Sequence, residues 1–155
     1  MRAGIFSRAE IESCLRRGFR SRVAVISFYT KDEKPLDFSV FSDVNCDVFQ
    51  VGVEDTRLDE LMEFSLTYKT YFSEAEELAK FIFAAKNAGV MIICQCEYGL
   101  SLSAGCAAAI RQFFNGDGIN VFENYAYCPN LLMYHKVYNA LIEESFEHGE
   151  FPCRY

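Results

Sequence analysis

Positive charge is in deficit in this chain: 15 Lys and Arg stand against 22 Asp and Glu, for a formal net charge of −7. Nucleic acid and anionic lipid, whose phosphates demand clustered basic residues, are therefore poor partners. The one basic cluster, Arg16-Arg17-Gly18-Phe19-Arg20-Ser21-Arg22, reads as a helix C-terminus favoured by the helix dipole rather than as a binding patch. No apolar run approaches the roughly 20 residues needed to cross a bilayer, and Met1 to Arg8 lack the apolar core of a signal peptide. A cytoplasmic protein without a membrane role is expected. Internal repeats, low-complexity tracts and linker-like segments are also missing. With half of its 155 residues apolar, the chain is long enough for one well-filled core, and one domain over 1–155 is expected.

Histidine is scarcer still, with only His135 and His148. Cysteine is not: seven are present, at Cys14, Cys46, Cys94, Cys96, Cys106, Cys128 and Cys153, an odd number without framework spacing. Reduced thiols are the natural reading. Cys94 and Cys96 form a C-x-C with Cys106 ten residues on, but no second pair stands at finger spacing and the histidines lie far along the chain, so no metal site is expected. Cys94, on an apolar strand, and Cys106, on an Ala-rich helix face, read as small core residues.

Helix and strand signals alternate along the chain. Ser7-Arg8-Ala9-Glu10 is a capping-box pattern opening a helix over about 8–18. Arg22 to Tyr29 is β-branched and apolar, as in a strand buried on both faces. A charged turn, Thr30 to Lys34, is closed by Pro35. A second strand, Asp47 to Val53, runs into Glu54-Asp55-Thr56-Arg57-Leu58-Asp59, placing three carboxylates past a strand's C-terminal end, where open α/β folds keep their active-site loops. Ser73-Glu74-Ala75-Glu76 is a second capping-box pattern, for a helix to about Asn87 with Ala75, Leu78, Ala79, Ile82 and Ala85 on one face; Asn87-Ala88-Gly89 ends it. Asn115-Gly116-Asp117-Gly118 is a break. Pro129-Asn130 introduces a last helix with Asn130 as cap and Leu131, Tyr134, Val137, Tyr138 and Leu141 on its buried side. Tyr125, Tyr127, Tyr134 and Tyr138 are expected to pack around Pro129. This alternation predicts a three-layer α/β/α arrangement, with a central, mainly parallel sheet flanked by helices.

The remaining stretch, Val90 to Ile110, organises the rest. A continuous apolar run, the strand Val90 to Gln95, crosses a short loop and becomes an Ala-rich helix that begins near Ser101 to Ser103 and runs to about Phe114. At such a junction free backbone N–H groups and the positive end of the helix dipole converge, which makes an anion site, with phosphate the candidate.

Cys96-Glu97-Tyr98-Gly99-Leu100-Ser101-Leu102-Ser103-Ala104-Gly105 resembles the phosphate-binding loop of the cysteine-dependent protein tyrosine and dual-specificity phosphatases, usually written H-C-x-x-G-x-x-R-S. It is similar above all to a compact microbial branch in which the loop often reads Cys-Glu-Ala-Gly-Ile-Ser-Arg-Ser-Ala-Gly. The resemblance extends to the Ser7-Arg-Ala-Glu10 start, to the acidic pair Glu54-Asp55 after a strand, and to Tyr127-Cys-Pro129-Asn130-Leu-Leu-Met-Tyr134. It implies a protein tyrosine phosphatase-like fold and hydrolysis of a phosphorylated protein or a small phosphomonoester, without metal or cofactor. It implies Cys96 as the nucleophile that forms a cysteinyl-phosphate, Ser103 as the group that steadies the leaving thiolate, and a phosphate cradle of Glu97, Tyr98, Gly99, Leu100, Ser101 and Leu102. Asp55 is the implied general acid, ahead of Glu54 and Asp59.

Two positions depart from the family pattern. The histidine before the nucleophile is Gln95, which carries no charge but can donate hydrogen bonds to position the loop. The arginine position is Leu102, which offers no donor where a guanidinium would clamp two phosphoryl oxygens. Two charge-assisted hydrogen bonds at about 1.5 to 3 kcal/mol each make roughly 3 to 6 kcal/mol, or about 10² to 10⁴ in rate. Hydrolysis is therefore expected to be weak or lost, with a catalytically dead phosphate-binding or protein-interaction module as the alternative. Arg111 lies about 13 Å along the helix from Leu102 and is not expected to substitute.

Overall fold

The computed structural model describes residues 1–41 and 45–153; the expected domain span also takes in 42–44 and 154–155, which lie outside the described residues. Val23 to Phe28 are apolar but for Ser27, and all six are buried, as the run from Arg22 predicts. Their strand, β2 (Val23–Tyr29), is interior to a sheet whose other members are β1 (Ala3–Phe6), β3 (Cys46–Gly52) and β4 (Met91–Gln95). The spatial order is β1-β4-β2-β3 and every pairing is parallel. Edge strand β3 has only Val51 buried, so it reads as mixed rather than uniformly apolar.

Strand alternation sorts the core into two faces. Val23, Val25 and Ile93 point to one side, where they meet Ile11 and Leu15 of α1 (Arg8–Arg17). Ala24, Ile26, Phe28, Ile92 and Cys94 point to the other, into the main core with α2 (Ala75–Asn87), α3 (Leu102–Asn115) and α5 (Leu131–His148). A sheet with helices on both faces is the expected three-layer arrangement. A five-residue α4 (Ile119–Glu123) follows the Gly116–Gly118 break.

Strand ends fix where a site can form. Parallel pairing puts Gln95 beside both Phe6 and Ser27, so the segments after β1, β2 and β4 leave the sheet together. The pairing of Tyr29 with Gly52 brings the segment after β3 to the same edge.

Local chemistry accounts for the helix boundaries. Ser7 and Glu10 form the full reciprocal capping box. Ser73 does not: α2 begins two residues later with Glu74 as cap and no side-chain capping bond. The reason lies upstream, where Tyr71 and Phe72 are both buried and Phe72 takes a left-handed φ of 49°, leaving Ser73 outside the helix. Asn130 caps α5 as expected, its side chain accepting from the Met133 N–H at 2.8 Å. Leu131 is exposed, contrary to expectation, because the buried face of α5 starts at Leu132 and Met133. Tyr125 is likewise fully exposed; Tyr134 stacks on Tyr138 at 5.9 Å, and Tyr127 packs on the small cluster of Ala104, Ala108 and Val121.

Candidate active site

Cys96 leaves β4 at the sheet edge and is almost enclosed, with 7% of its surface exposed. Its Sγ lies 3.0 Å from Oγ of Ser103, a residue fully buried in the first turn of α3. Between them the loop folds back over the end of β1: the Cys96 N–H donates to the Phe6 carbonyl at 3.3 Å and the Arg8 N–H to the Glu97 carbonyl at 3.1 Å. Gly99 is required on two counts. Its φ is +68°, and a Cβ there would stand 2.7 Å from the Ser7 nitrogen. From Glu97 to Ser101 the backbone N–H groups donate to no acceptor among the described residues.

Ser101 stands at the α3 N-cap but does not cap it. Its hydroxyl donates instead to Asp55 Oδ1 at 2.8 Å, and the Asn130 amide donates to the same oxygen at 2.8 Å and to the Thr56 carbonyl at 2.9 Å. The Asn130 N–H donates to the Ser101 carbonyl, and the Cys128 N–H to the Leu100 carbonyl. One segment ahead of α5 thus ties the loop to the acidic corner.

Asp55 is accordingly the acid that the fold brings to the loop. With Cys96, Glu97, Ser101 and Leu102 it lines a cavity of about 260 Å³, rimmed by exposed Tyr98 and Leu100. Gly99 packs away on Ser7, and Ser103 stands behind the sulfur. Neither Glu54 nor Asp59 lines this cavity: the Glu54 carboxylate accepts from the Lys31 N–H, and Asp59 pairs with Arg57 in an adjoining groove. Leu102 is 2% exposed and packs in the main core beside Cys96. Arg111 lies 3.8 Å from Asp117 at the far end of α3 and does not line the cavity.

Gln95 is anchored sideways rather than into the loop. Its amide oxygen accepts from Ser27 Oγ at 2.5 Å, and Gln50 reaches both Ser27 and the Leu36 carbonyl. The expected donor role of Gln95 is thus replaced by an acceptor role across the sheet. Cys94 and Cys106 are fully buried against each other, and burial pushes the Cys106 thiol well up, with the hydrogen bond to Cys94 adding to it.

Several residues that shape the site were not singled out by sequence. Arg8 sits in the Ser-Arg-Ala-Glu start and donates to the Glu97 carboxylate at 2.8 Å, while Asn130, read only as a cap, also clamps Asp55. The hydrogen bond to Glu97 holds the Arg8 guanidinium more firmly charged than usual. Thr30 and Glu33 line the cavity from the turn after β2, where only a charged turn was legible.

Tyr71 buttresses the acidic corner: its hydroxyl donates to the Glu54 carbonyl at 2.8 Å. Burial, with Asp55 and Glu54 adding to it, raises the phenol above the ordinary 10.0. A raised phenol means that the folded state keeps a proton the unfolded chain gives up. The stability this contributes is complete below about pH 10 and is lost as pH rises towards the folded value. Tyr71→Phe is expected to lower stability at neutral pH by about 1 kcal/mol for the lost hydrogen bond. It is also expected to flatten the alkaline loss, which urea unfolding at about pH 7 and about pH 11 would measure.

No protein-family model matches the sequence, and no curated protein matches it. Solved structures do. Human DUSP28 superposes with a TM-score of 0.56 at 17% identity, over 96% of this chain and 95% of that one. DUSP15 gives 0.57 at 14% identity, over 94% and 86%. The human tyrosine phosphatase-like serine/threonine/tyrosine-interacting protein gives 0.53 at 12% identity, over 92% and 87%. The fold is therefore that of the dual-specificity and tyrosine phosphatases. No helix among the described residues is long and apolar enough to cross a membrane.

Proposed function

We propose that this chain is a phosphatase-like cytoplasmic protein that holds a phosphomonoester, on a protein or a small molecule, in the Cys96 to Leu102 loop and hydrolyses it slowly. The observation that carries this reading is the placement of Cys96 Sγ 3.0 Å from the Ser103 hydroxyl, in a loop whose acid partner, Asp55, is held by Ser101 and Asn130. In the forward step the Cys96 thiolate attacks phosphorus, an S–P bond forms, the P–O bond breaks, and Asp55 gives its proton to the departing oxygen. Water then attacks phosphorus with its proton passing to Asp55, the S–P bond breaks, and inorganic phosphate leaves. The Ser103 hydroxyl hydrogen-bonds the sulfur as it departs. Free N–H groups of the loop supply donors to the phosphoryl oxygens, and no metal or cofactor is called on.

What is missing is the cation. Leu102 brings an apolar side chain to the cavity wall, so the charge that builds on the equatorial oxygens is met by backbone dipoles alone. Purified protein is expected to hydrolyse a generic aryl phosphate barely above a Cys96→Ser control. Robust Cys96-dependent turnover would overturn the slow-enzyme assignment. A second reading, a pseudophosphatase acting as a binding module, is favoured by the charge of the cavity, which Glu33, Asp55 and Glu97 line without any Lys or Arg among the described residues. A structural neighbour named as a phosphatase-like interacting protein makes such a role a reasonable second. Phosphopeptide binding by wild-type protein whose hydrolysis equals that of Cys96→Ser would select it.

A further inference from the structure

The cavity at Cys96 carries the wrong sign for the ligand its loop is built to hold. Of its three carboxylates, only Glu97 has an ion-pair partner among the described residues, Arg8. Asp55 and Glu33 take hydrogen bonds from neutral donors: the Ser101 hydroxyl and Asn130 amide for Asp55, the Thr30 N–H for Glu33. Neighbouring cations are engaged elsewhere. Arg8 is held between Glu97, Glu12 and the Lys34 carbonyl, and Lys31 Nζ sits 5.0 Å from the centre of the Phe64 ring. Even with Asp55 carrying the proton it gives to the leaving oxygen, a phosphoryl group arriving alone meets the unpaired carboxylate of Glu33.

The same imbalance continues next door. A groove of about 700 Å³ shares Asp55, Ser101 and Cys128 with the cavity as common walls. Asp59 and Glu60 add two carboxylates; Arg57 and the His135 imidazole are the basic side chains beside them, and the 3.1 Å contact of Arg57 with Asp59 is an exposed pair that neighbouring ligands can readily replace. Thr56 also lines the groove, and although it is only 3% exposed its hydroxyl has no hydrogen-bond partner among the described residues. Buried hydroxyls are ordinarily satisfied, so this one has lone pairs free to accept from a ligand donor. Exposed Leu58 and Leu131 form apolar ledges along the groove. Carboxylates, a spare acceptor and apolar ledges together suit one kind of side chain: a long alkyl stem ending in several N–H donors.

We infer that the groove takes an arginine side chain of a polypeptide ligand, so that the ligand itself brings the cation that Leu102 fails to supply. The inference rests on the phosphoryl group sitting in the Cys96 loop and narrows the ligand to a phosphorylated segment with a basic residue close to the modified one. Arginine suits the groove better than lysine because its planar fork can serve a carboxylate and the Thr56 hydroxyl together.

Fluorescence anisotropy on the Cys96→Ser protein would test this with three probes: a phosphotyrosine peptide flanked by arginine, the same peptide flanked by alanine, and the arginine peptide without phosphate. The arginine phosphopeptide is expected to bind about tenfold more tightly than its alanine counterpart. That advantage should disappear in an Asp59→Asn/Glu60→Gln variant and shrink with added salt. Equal affinity for the two phosphopeptides would overturn the inference while leaving the phosphoryl reading in place. Equal affinity for the arginine peptide with and without phosphate, still dependent on Asp59 and Glu60, would support the groove and overturn the phosphoryl reading. Failure of all three probes to bind would overturn both.

Discussion

Leu102→Arg is expected to raise hydrolysis of an aryl phosphate by about tenfold or more over the wild type, making it the most informative single change in the chain. The gain comes from two charge-assisted hydrogen bonds to the equatorial phosphoryl oxygens, worth roughly 3 to 6 kcal/mol between them in a water-poor site. Part of that is offset. Leu102 is 2% exposed and belongs to the main core, so an arginine loses apolar packing there and must send its guanidinium into the cavity. Asp55 and Glu33 wait in that cavity and will compete with phosphate for the new cation. A tenfold gain is therefore the lower bound, and the rate should depend on Cys96. Leu102→Met, which keeps the volume without the charge, is expected to give no gain. If Leu102→Arg folds and also gives none, the loop is not arranged to receive a phosphoryl group above Cys96.

Much of this arrangement is legible in sequence because it rests on local patterns. Val23 to Phe28 are apolar but for Ser27, the pattern of an interior parallel strand, and that strand is interior. The Ser7 box and the Asn130 cap each fit in a four-residue window, and both form. Failures come where tertiary demand overrides a local signal. Ser73 carries the same capping pattern as Ser7, yet burial of Tyr71 and Phe72 decides the entry to α2. Strand β1 is four residues long and includes a glycine; only its pairing with β4 makes it a strand, and no periodicity shows in so short a run.

Candidate site residues divide in the same way. Cys96, Ser101, Leu102 and Ser103 are contiguous, so a motif reveals them together. The resemblance puts Asp55 first among three acids, and the hydrogen bonds that tie it to the loop span 46 and 75 residues, which no sequence window contains. The charge of the cavity was the least legible feature. It depends on Glu33, from the turn after β2, and on Arg8 being drawn off by Glu97, neither of which has a signature along the chain.

Gly105→Ala is expected to lower stability by about 1 to 3 kcal/mol, although alanine is the better helix former by about 1 kcal/mol in an unconstrained helix. Gly105 lies in the first turns of α3 and faces the start of α5. A Cβ added there would stand 2.4 Å from the Asn130 carbonyl oxygen, and 3.3 Å from both the carbon and the nitrogen of the same residue. Those atoms are backbone and cannot rotate away, so the two helices must part by roughly 1 Å to restore ordinary contact. Asn130 is the worst residue to displace, since its amide clamps Asp55 and the Thr56 carbonyl while its side-chain oxygen caps α5. The damage should therefore reach the site as well as the fold. Urea unfolding would show a lower midpoint with an unchanged slope. In an Asn130→Ala background, where the clamp is already gone, the backbone clash persists but its effect on the site does not. The combined loss of phosphopeptide binding should then fall short of the sum of the two single losses. A stabilised Gly105→Ala protein would mean that helix propensity outweighs the contact, and that the approach of α3 to α5 is not what holds Asp55 over the loop.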